Sequence, residues 1–370
     1  MRTARALIVL AFIADLAPAA AGGSRQAEPA TIRAPHVVAV KTGLNGPAAF
    51  TFGPNAKIWF AERGTGEIRV LDRESGTTRL FFDVSNVDGS GERGALGLAL
   101  HPDYPASPFV YLYVTRTDHG DLVNELLRIR SEQGRGVSFQ VLFRWAVSGA
   151  PNHNGGRIVF GADGNLFIVT GDNANPANSQ RVANLRGKIL RIRPDGSIPA
   201  DNPFGTRVFA YGIRNSFGMA VDPFTDDLWE TENGPSCNDE VNRILGGGNF
   251  AWGPSNACPA DPLDAVAADT NRDGPSPRRF PKALFEETIG ITGAAFCDAC
   301  GLGATRQGDL IFGDVNTGGI WALSLNDART DADGEALRFL SAGTAVYSVE
   351  AGPGGVIYFS GPSGIYKLAS

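Results

Sequence analysis

The stretch Gly156–Asp172, "GRIVFGADGNLFIVTGD", decides how this chain is read. An apolar strand runs into a turn of Gly, Asp and Asn, and a second strand rich in Phe, Ile and Val leaves it. A Gly-led return strand, "GKILRIRPDG", follows shortly after. Alternation of apolar and polar residues at a period of two, with β-branched and aromatic side chains between turn residues, marks strands.

The same set recurs along the chain. It is present in "AAFTFGPNAKIWFAERGTGEIRVLD" (Ala48–Asp72) and in "LGLALHPDYPASPFVYLYVTR" (Leu96–Arg116) with "NELLRIRS". Further copies are "FGMAVDPFTDDLWETENG" (Phe217–Gly234) with "DEVNRIL", the segment Gly293–Asn326, and "YSVEAGPGGVIYFSGPSGIYKLAS" (Tyr347–Ser370). Six sets spaced roughly 50 to 60 residues apart fit the blades of a β-propeller, and a β-sandwich would not repeat in this way. The expected fold is therefore all-β, a single six-bladed propeller of four-stranded antiparallel blades over residues 35–370. The early strand "HVVAVKTGL" (His36–Leu44) is expected to complete the last blade and close the ring, because an open edge invites aggregation.

Composition agrees. Forty-seven glycines and 23 prolines against 19% charged residues favour many turns over long helices. A net charge of −6 with no basic run argues against a nucleic-acid partner. The first 21 residues read as an export signal: Arg2 and Arg5, the apolar run Ala6–Ile13, and the small residues Ala19–Ala21. That run is too short to span a membrane. Residues 22–34 are expected to be a flexible leader, and the mature protein to be secreted or periplasmic. In that setting the four cysteines suggest two disulfides, Cys237–Cys258 and Cys297–Cys300 by sequence order, although three connectivities and a four-cysteine zinc site are open.

A propeller gathers the loops that enter its blades around one mouth. The long insertions Thr117–Val147 and Ala251–Glu287 are expected to be loops or short hairpins walling it. Glu92 in "GSGERGALGL", His153 in "PNHNGGR" and Arg214 in "YGIRNSFGM" hold the same place ahead of blades two, three and four. A carboxylate, an imidazole and a guanidinium facing one cavity form an acid–base and anion-stabilising set. His101, in the turn "LHPDY", is expected to serve packing, and His36 and His119 to lie on the surface. The segment "TENGPSCNDEVNRI" (Thr231–Ile244) sets a Gly-Pro pair among Glu232, Asp239 and Glu240, offering the hard oxygen ligands that calcium prefers.

At these residues the chain resembles the soluble glucose/sorbosone dehydrogenases, secreted six-bladed propellers that use pyrroloquinoline quinone. The phrases carrying the resemblance include "GERGALGLALHPDY", "HNGGRIVFGADGNLFIVTGD", "FAYGIRNSFGMAVDP", "ENGPSCNDEVNRILGGGNFAWG" and "ETIGITGAAF". The resemblance implies that His153 removes the proton of a sugar or alcohol hydroxyl while hydride passes to the quinone, with electrons leaving to an external acceptor. It implies that Arg214 and Asn215 contact the cofactor, with Glu92, Asn152, Thr292 and Asn316 around it. The carbonyls of Gly234 and Pro235 would hold the calcium bound to the quinone, and Glu240 with the carbonyl of Phe250 a second calcium. Asn152 stands where an acidic residue often orients the base.

The chain departs from the family in its cations. A lysine and two arginines that grip the cofactor's carboxylates fall near Asn316, Ala345 and Tyr347, and each lost charge-assisted hydrogen bond is worth ~1.5–3 kcal/mol. Glu92 stands where a neutral amide is common. Arg93, Arg157 and Lys188 are candidates to replace the missing charge. Two other readings stay open: a propeller that binds carbohydrate or protein without catalysis, and a calcium-dependent lactonase-type hydrolase. No dinucleotide-binding motif points to a nicotinamide.

Overall fold

The computed structural model describes residues 34–147, 149–254 and 278–370. Within them lie 24 strands in six four-stranded antiparallel sheets. Helical structure among the described residues is limited to four three-residue 3-10 turns. The expected propeller is therefore the observed fold. The proposed signal, the leader up to Arg33, Cys258 and most of the insertion Ala251–Glu287 lie outside the described residues.

Each blade begins with the strand nearest the axis. These inner strands are Pro47–Phe52, Ala95–Leu100, Gly155–Phe160, Ser216–Val221, Ile291–Phe296 and Ser348–Ala351. Each contacts the next around the ring. The sixth sheet is completed by His36–Thr42, which pairs antiparallel with the C-terminal strand Gly364–Ala369, from His36 opposite Ala369 to Thr42 opposite Gly364. The edge is thus closed as the sequence led one to expect.

The blades cohere through their faces. Leu166–Thr170, the second strand of blade three, is buried along its whole length. Its Leu166 and Ile168 pack toward blade two with Tyr111 and Leu126, while Phe167 and Val169 pack toward blade four with Met219 and Leu228. A middle strand of a propeller has a neighbour on both sides, so it reads as an apolar run and not as the alternation expected of a half-buried strand. The other blade junctions carry equivalent clusters. Burying an Ile or Phe contributes about 1.5–3 kcal/mol, so these junctions hold the ring together.

One expectation is corrected. Thr117–Val147 is not a loop or short hairpin. Blade two is built from three long strands, Phe109–Asp118, Asp121–Glu132 and Arg135–Ala146, paired almost throughout. The outer strand shows mostly polar or half-exposed side chains, so its pattern is too weak to announce a strand. Cys297 and Cys300 form a disulfide. Cys237 is also disulfide-bonded, and its expected partner lies outside the described residues.

Candidate active site

Where the inner strands begin, their entry loops surround a cavity of about 490 Å³. Glu92, Asn152, His153, Arg214, Asn215, Gly234, Thr292 and Asn316 line it together. Pro235, on the same bend as Gly234, is exposed, and neither Glu240 nor Phe250 reaches the cavity. Phe250 packs into the junction of blades three and four.

His153 is held by its backbone and by its ring. Its φ of +58° is the left-handed conformation that residues other than glycine adopt at a cost of about 1–3 kcal/mol. Opposing hydrogen bonds keep it there. Its N–H donates to Glu92 Oε2 at 2.6 Å, and its carbonyl accepts from the Asn173 N–H at 3.0 Å. The paired glycines that follow are sterically required: Gly155 (φ +63°) would set a Cβ 2.6 Å from the Gly171 nitrogen, and Gly156 (φ +115°) one 2.5 Å from Leu96 Cβ.

The ring nitrogen Nδ1 lies 2.8 Å from Asp172 Oδ1, and Asp172 is fully buried. A carboxylate only accepts, so Nδ1 must carry the proton and Nε2 is left as the basic nitrogen. Asp172 is itself fixed by the Ala174 N–H at 2.7 Å and the Trp252 indole N–H at 2.8 Å. The buried carboxylate that orients the imidazole is therefore Asp172, not the residue at Asn152. In the sequence it closes the strand "FIVTGD" of the same blade, which places it beside His153 once the blade forms.

Arg214 stacks over Trp252, 5.3 Å from the ring centroid, and donates from Nη1 to the Asn233 carbonyl at 2.8 Å. Burial lowers its pKa, opposed by the fields of Asp172, Glu232, Glu92 and Asp239. Glu92 Oε2 also accepts from Asn215 Nδ2 at 3.0 Å, and Asn215 Oδ1 accepts from the Gly155 N–H at 3.2 Å. Glu92 thus ties the entry loops of blades two, three and four. Two further arginines, Arg63 and Arg157, and the aromatic residues Phe217 and Tyr347 line the same space. The other candidate cations do not. Arg93 pairs with Asp88 at 2.9 Å, and Lys188 Nζ is surrounded by the carbonyls of Asn178, Ser179, Arg186 and Gly187. Tyr347 and Asn316 occupy cavity positions without bringing charge. The remaining histidines stand apart: His101 Nδ1 accepts the Asp103 N–H within its turn, and His36 and His119 are exposed.

A planar, anionic quinone fits this lining of arginines, amides and rings. For calcium the donors are of the right kind. Gly234 stands in the wall, and behind its bend Glu230 and Glu232 each keep a buried carboxylate oxygen with no hydrogen-bond partner among the described residues. Burial pushes Glu230 up to about 7 and Glu240 up to about 8, and with its acidic neighbours raises Glu232 well above the carboxylate range. Among the described residues, however, no three acidic, His or Cys side chains gather around a common point that could hold a metal.

Comparison with known proteins agrees with the architecture. The family described as glucose/sorbosone dehydrogenase matches residues 44–364. Aldose sugar dehydrogenase YliI of Escherichia coli (strain K12) is 28% identical, over 90% of this chain and 90% of its own length. Quinoprotein glucose dehydrogenase B of Acinetobacter calcoaceticus is 31% identical over 58% of this chain, a match spanning 51% of that protein. The PQQ-bound aldose sugar dehydrogenase of Streptomyces coelicolor superimposes with a TM-score of 0.75 at 27% identity, covering 91% of this chain and 98% of that one. With its blades, its cavity and a match along most of its length, the chain belongs to the glucose/sorbosone dehydrogenase family.

Proposed function

We propose that this protein is an exported dehydrogenase that oxidises the hydroxyl of an aldose-type sugar or related alcohol, using pyrroloquinoline quinone and calcium and passing electrons to an external acceptor. The observation that carries this reading is the His153–Asp172 pair at 2.8 Å, opening into the cavity that Arg214 and Asn215 also line. When bound, the quinone would supply a two-electron acceptor for hydride and calcium would polarise its carbonyl.

The chain's own residues do the rest. His153 Nε2 takes the proton of the substrate hydroxyl, and Asp172 holds the ring and stabilises the imidazolium that results. Arg214 sets a fixed positive charge where negative charge develops. Asn152, Asn215, Thr292, Asn316 and Glu92 would bound the cofactor, and the carbonyls of Gly234 and Pro235 would hold calcium. A second calcium at Glu240 and Phe250 belongs to the same proposal. A lactonase would instead need side-chain carboxylates and amides converging on a metal in the central channel, whereas the bend at Gly234 and Pro235 offers carbonyls.

The test is reconstitution of the mature protein with quinone and calcium, following dye reduction across aldoses and alcohols, beside a His153→Ala variant. Activity should fall about 10²- to 10⁴-fold in that variant. Undiminished activity would remove His153 from the mechanism. Quinone that neither binds nor activates would favour a non-catalytic propeller, and calcium-dependent lactone hydrolysis without quinone would favour a hydrolase.

A further inference from the structure

Arg157 lies four residues after His153, on the inner strand of blade three, and its side chain crosses the channel. Nε donates to the Phe217 carbonyl of blade four at 3.1 Å, and Nη2 to the Tyr347 carbonyl at the entrance to blade six at 3.3 Å. It is 6% exposed and lines the cavity that holds His153. These bonds engage two of its five N–H groups, and it makes no ion pair among the described residues. The acid that acts on it, Glu350, faces the concavity at the opposite end of the channel.

This is an unusual place for a cation. A tether between carbonyls needs only neutral donors, whereas a buried charge without a counter-ion costs free energy. Burial does lower the pKa of Arg157. The contrast with Lys188 is direct: that ammonium is wrapped by carbonyls away from the cavity, as a structural cation should be. Arg63, the third arginine of the cavity, spends Nη1 on the carbonyls of Gly89, Gly91 and Arg93 and so fixes the Glu92 loop. Arg157 is the cation left facing the ligand space from below.

We infer that Arg157 binds a carboxylate of the molecule that fills this cavity, supplying charge that Asn316, Ala345 and Tyr347 do not carry. The inference rests on the quinone reading above and adds a residue to it. An arriving carboxylate becomes a directly bonded counter-ion, which Glu350 acting through space is not, and offsets part of the cost of burying the guanidinium.

The experiment is a fluorescence or calorimetric titration of the calcium-loaded mature protein with pyrroloquinoline quinone and with its trimethyl ester. Wild type, Arg157→Gln and Arg157→Lys are compared after their melting temperatures have been recorded. Arg157→Gln should weaken binding of the triacid at least about tenfold and leave the triester unchanged, with Arg157→Lys recovering part of the loss. Equal triacid affinity in Arg157→Gln and wild type would overturn the inference and leave the quinone reading standing. Equal loss for acid and ester would reduce Arg157 to a tether. Should Arg157→Gln not fold, the wild-type preference for acid over ester still decides, since a ratio near one excludes any carboxylate grip. Wild type that binds neither ligand would bring down the quinone reading and the inference together.

Discussion

At the upper end of the central channel the inner strands start beside His153, Arg157 and Asn215, whereas at the lower end they finish among Phe52, Leu100, Phe160 and Met219. The two hollows are similar in size, about 490 and 530 Å³. They differ in how they are made. The lower hollow is rimmed by turns of repeated chemistry, such as those in "FGPNAKI" and "LHPDY", each there to reverse a blade's first strand. The upper one is rimmed by loops that differ from blade to blade. Repetition builds the ring, and the places where repetition fails hold the unusual side chains.

The comparison can be broken most sharply at Asp172. With an amide there, Nδ1 is no longer bound to prefer the protonated state, and Asp172→Asn should lower kcat about 10²- to 10⁴-fold while the fold survives. Steady-state kinetics beside a circular-dichroism melt would show it, and unchanged kcat would disprove the orienting role. A smaller effect is expected at Glu92, whose Oε2 accepts from both the His153 N–H and Asn215 Nδ2. Glu92→Ala leaves His153 less firmly held in its left-handed conformation, with kcat/KM down about tenfold and a melting point lower by a few degrees.

The two hollows should also communicate. Burial raises the Glu350 carboxyl to about 7, opposed by the nearby Arg157 charge, and His101 lines the same lower hollow. Below that pH Glu350 is neutral and Arg157 acts as a bare cation. As pH rises through about 7 the carboxylate forms and competes for the guanidinium, so triacid affinity should fall a few-fold between pH 6 and 8. Titrations with Glu350→Gln should lose that slope. If the slope persists, another group is responsible. The smallest effect is expected at the rim of the lower hollow. Tyr104→Phe removes a 2.9 Å bond to Ser131, costing about 1 kcal/mol of stability in a urea melt with kinetics unaltered. A kinetic defect there would blur the distinction between the ends.

Much of the ring was legible because a two-residue period and turn chemistry are local properties. The shared register of Glu92, His153 and Arg214 was legible for the same reason, since equivalent positions in successive blades meet by symmetry. Three things were hidden. Asp172 lies two residues past the apolar strand Leu166–Thr170, where a single carboxylate after a Gly looks like any turn residue. Arg157 was one of three candidate cations, and what sets it apart from Arg93 and Lys188 is its reach to carbonyls on blades four and six, at separations that no local pattern records. The long strands of blade two were obscured because Arg135–Ala146 faces solvent along much of its length, which mutes the apolar rhythm.

The pairing of His36–Thr42 with Gly364–Ala369 has a consequence for biogenesis. A circle clasped by strands this far apart in sequence cannot shut until Gly364–Ala369 has been translated. Until then five completed sheets and an unfinished sixth must wait with one flank bare, whatever their individual order. Chains ending before Gly364 should accordingly remain protease-sensitive while the longer chain resists, and adding Gly364–Ala369 back as a peptide should restore part of that resistance.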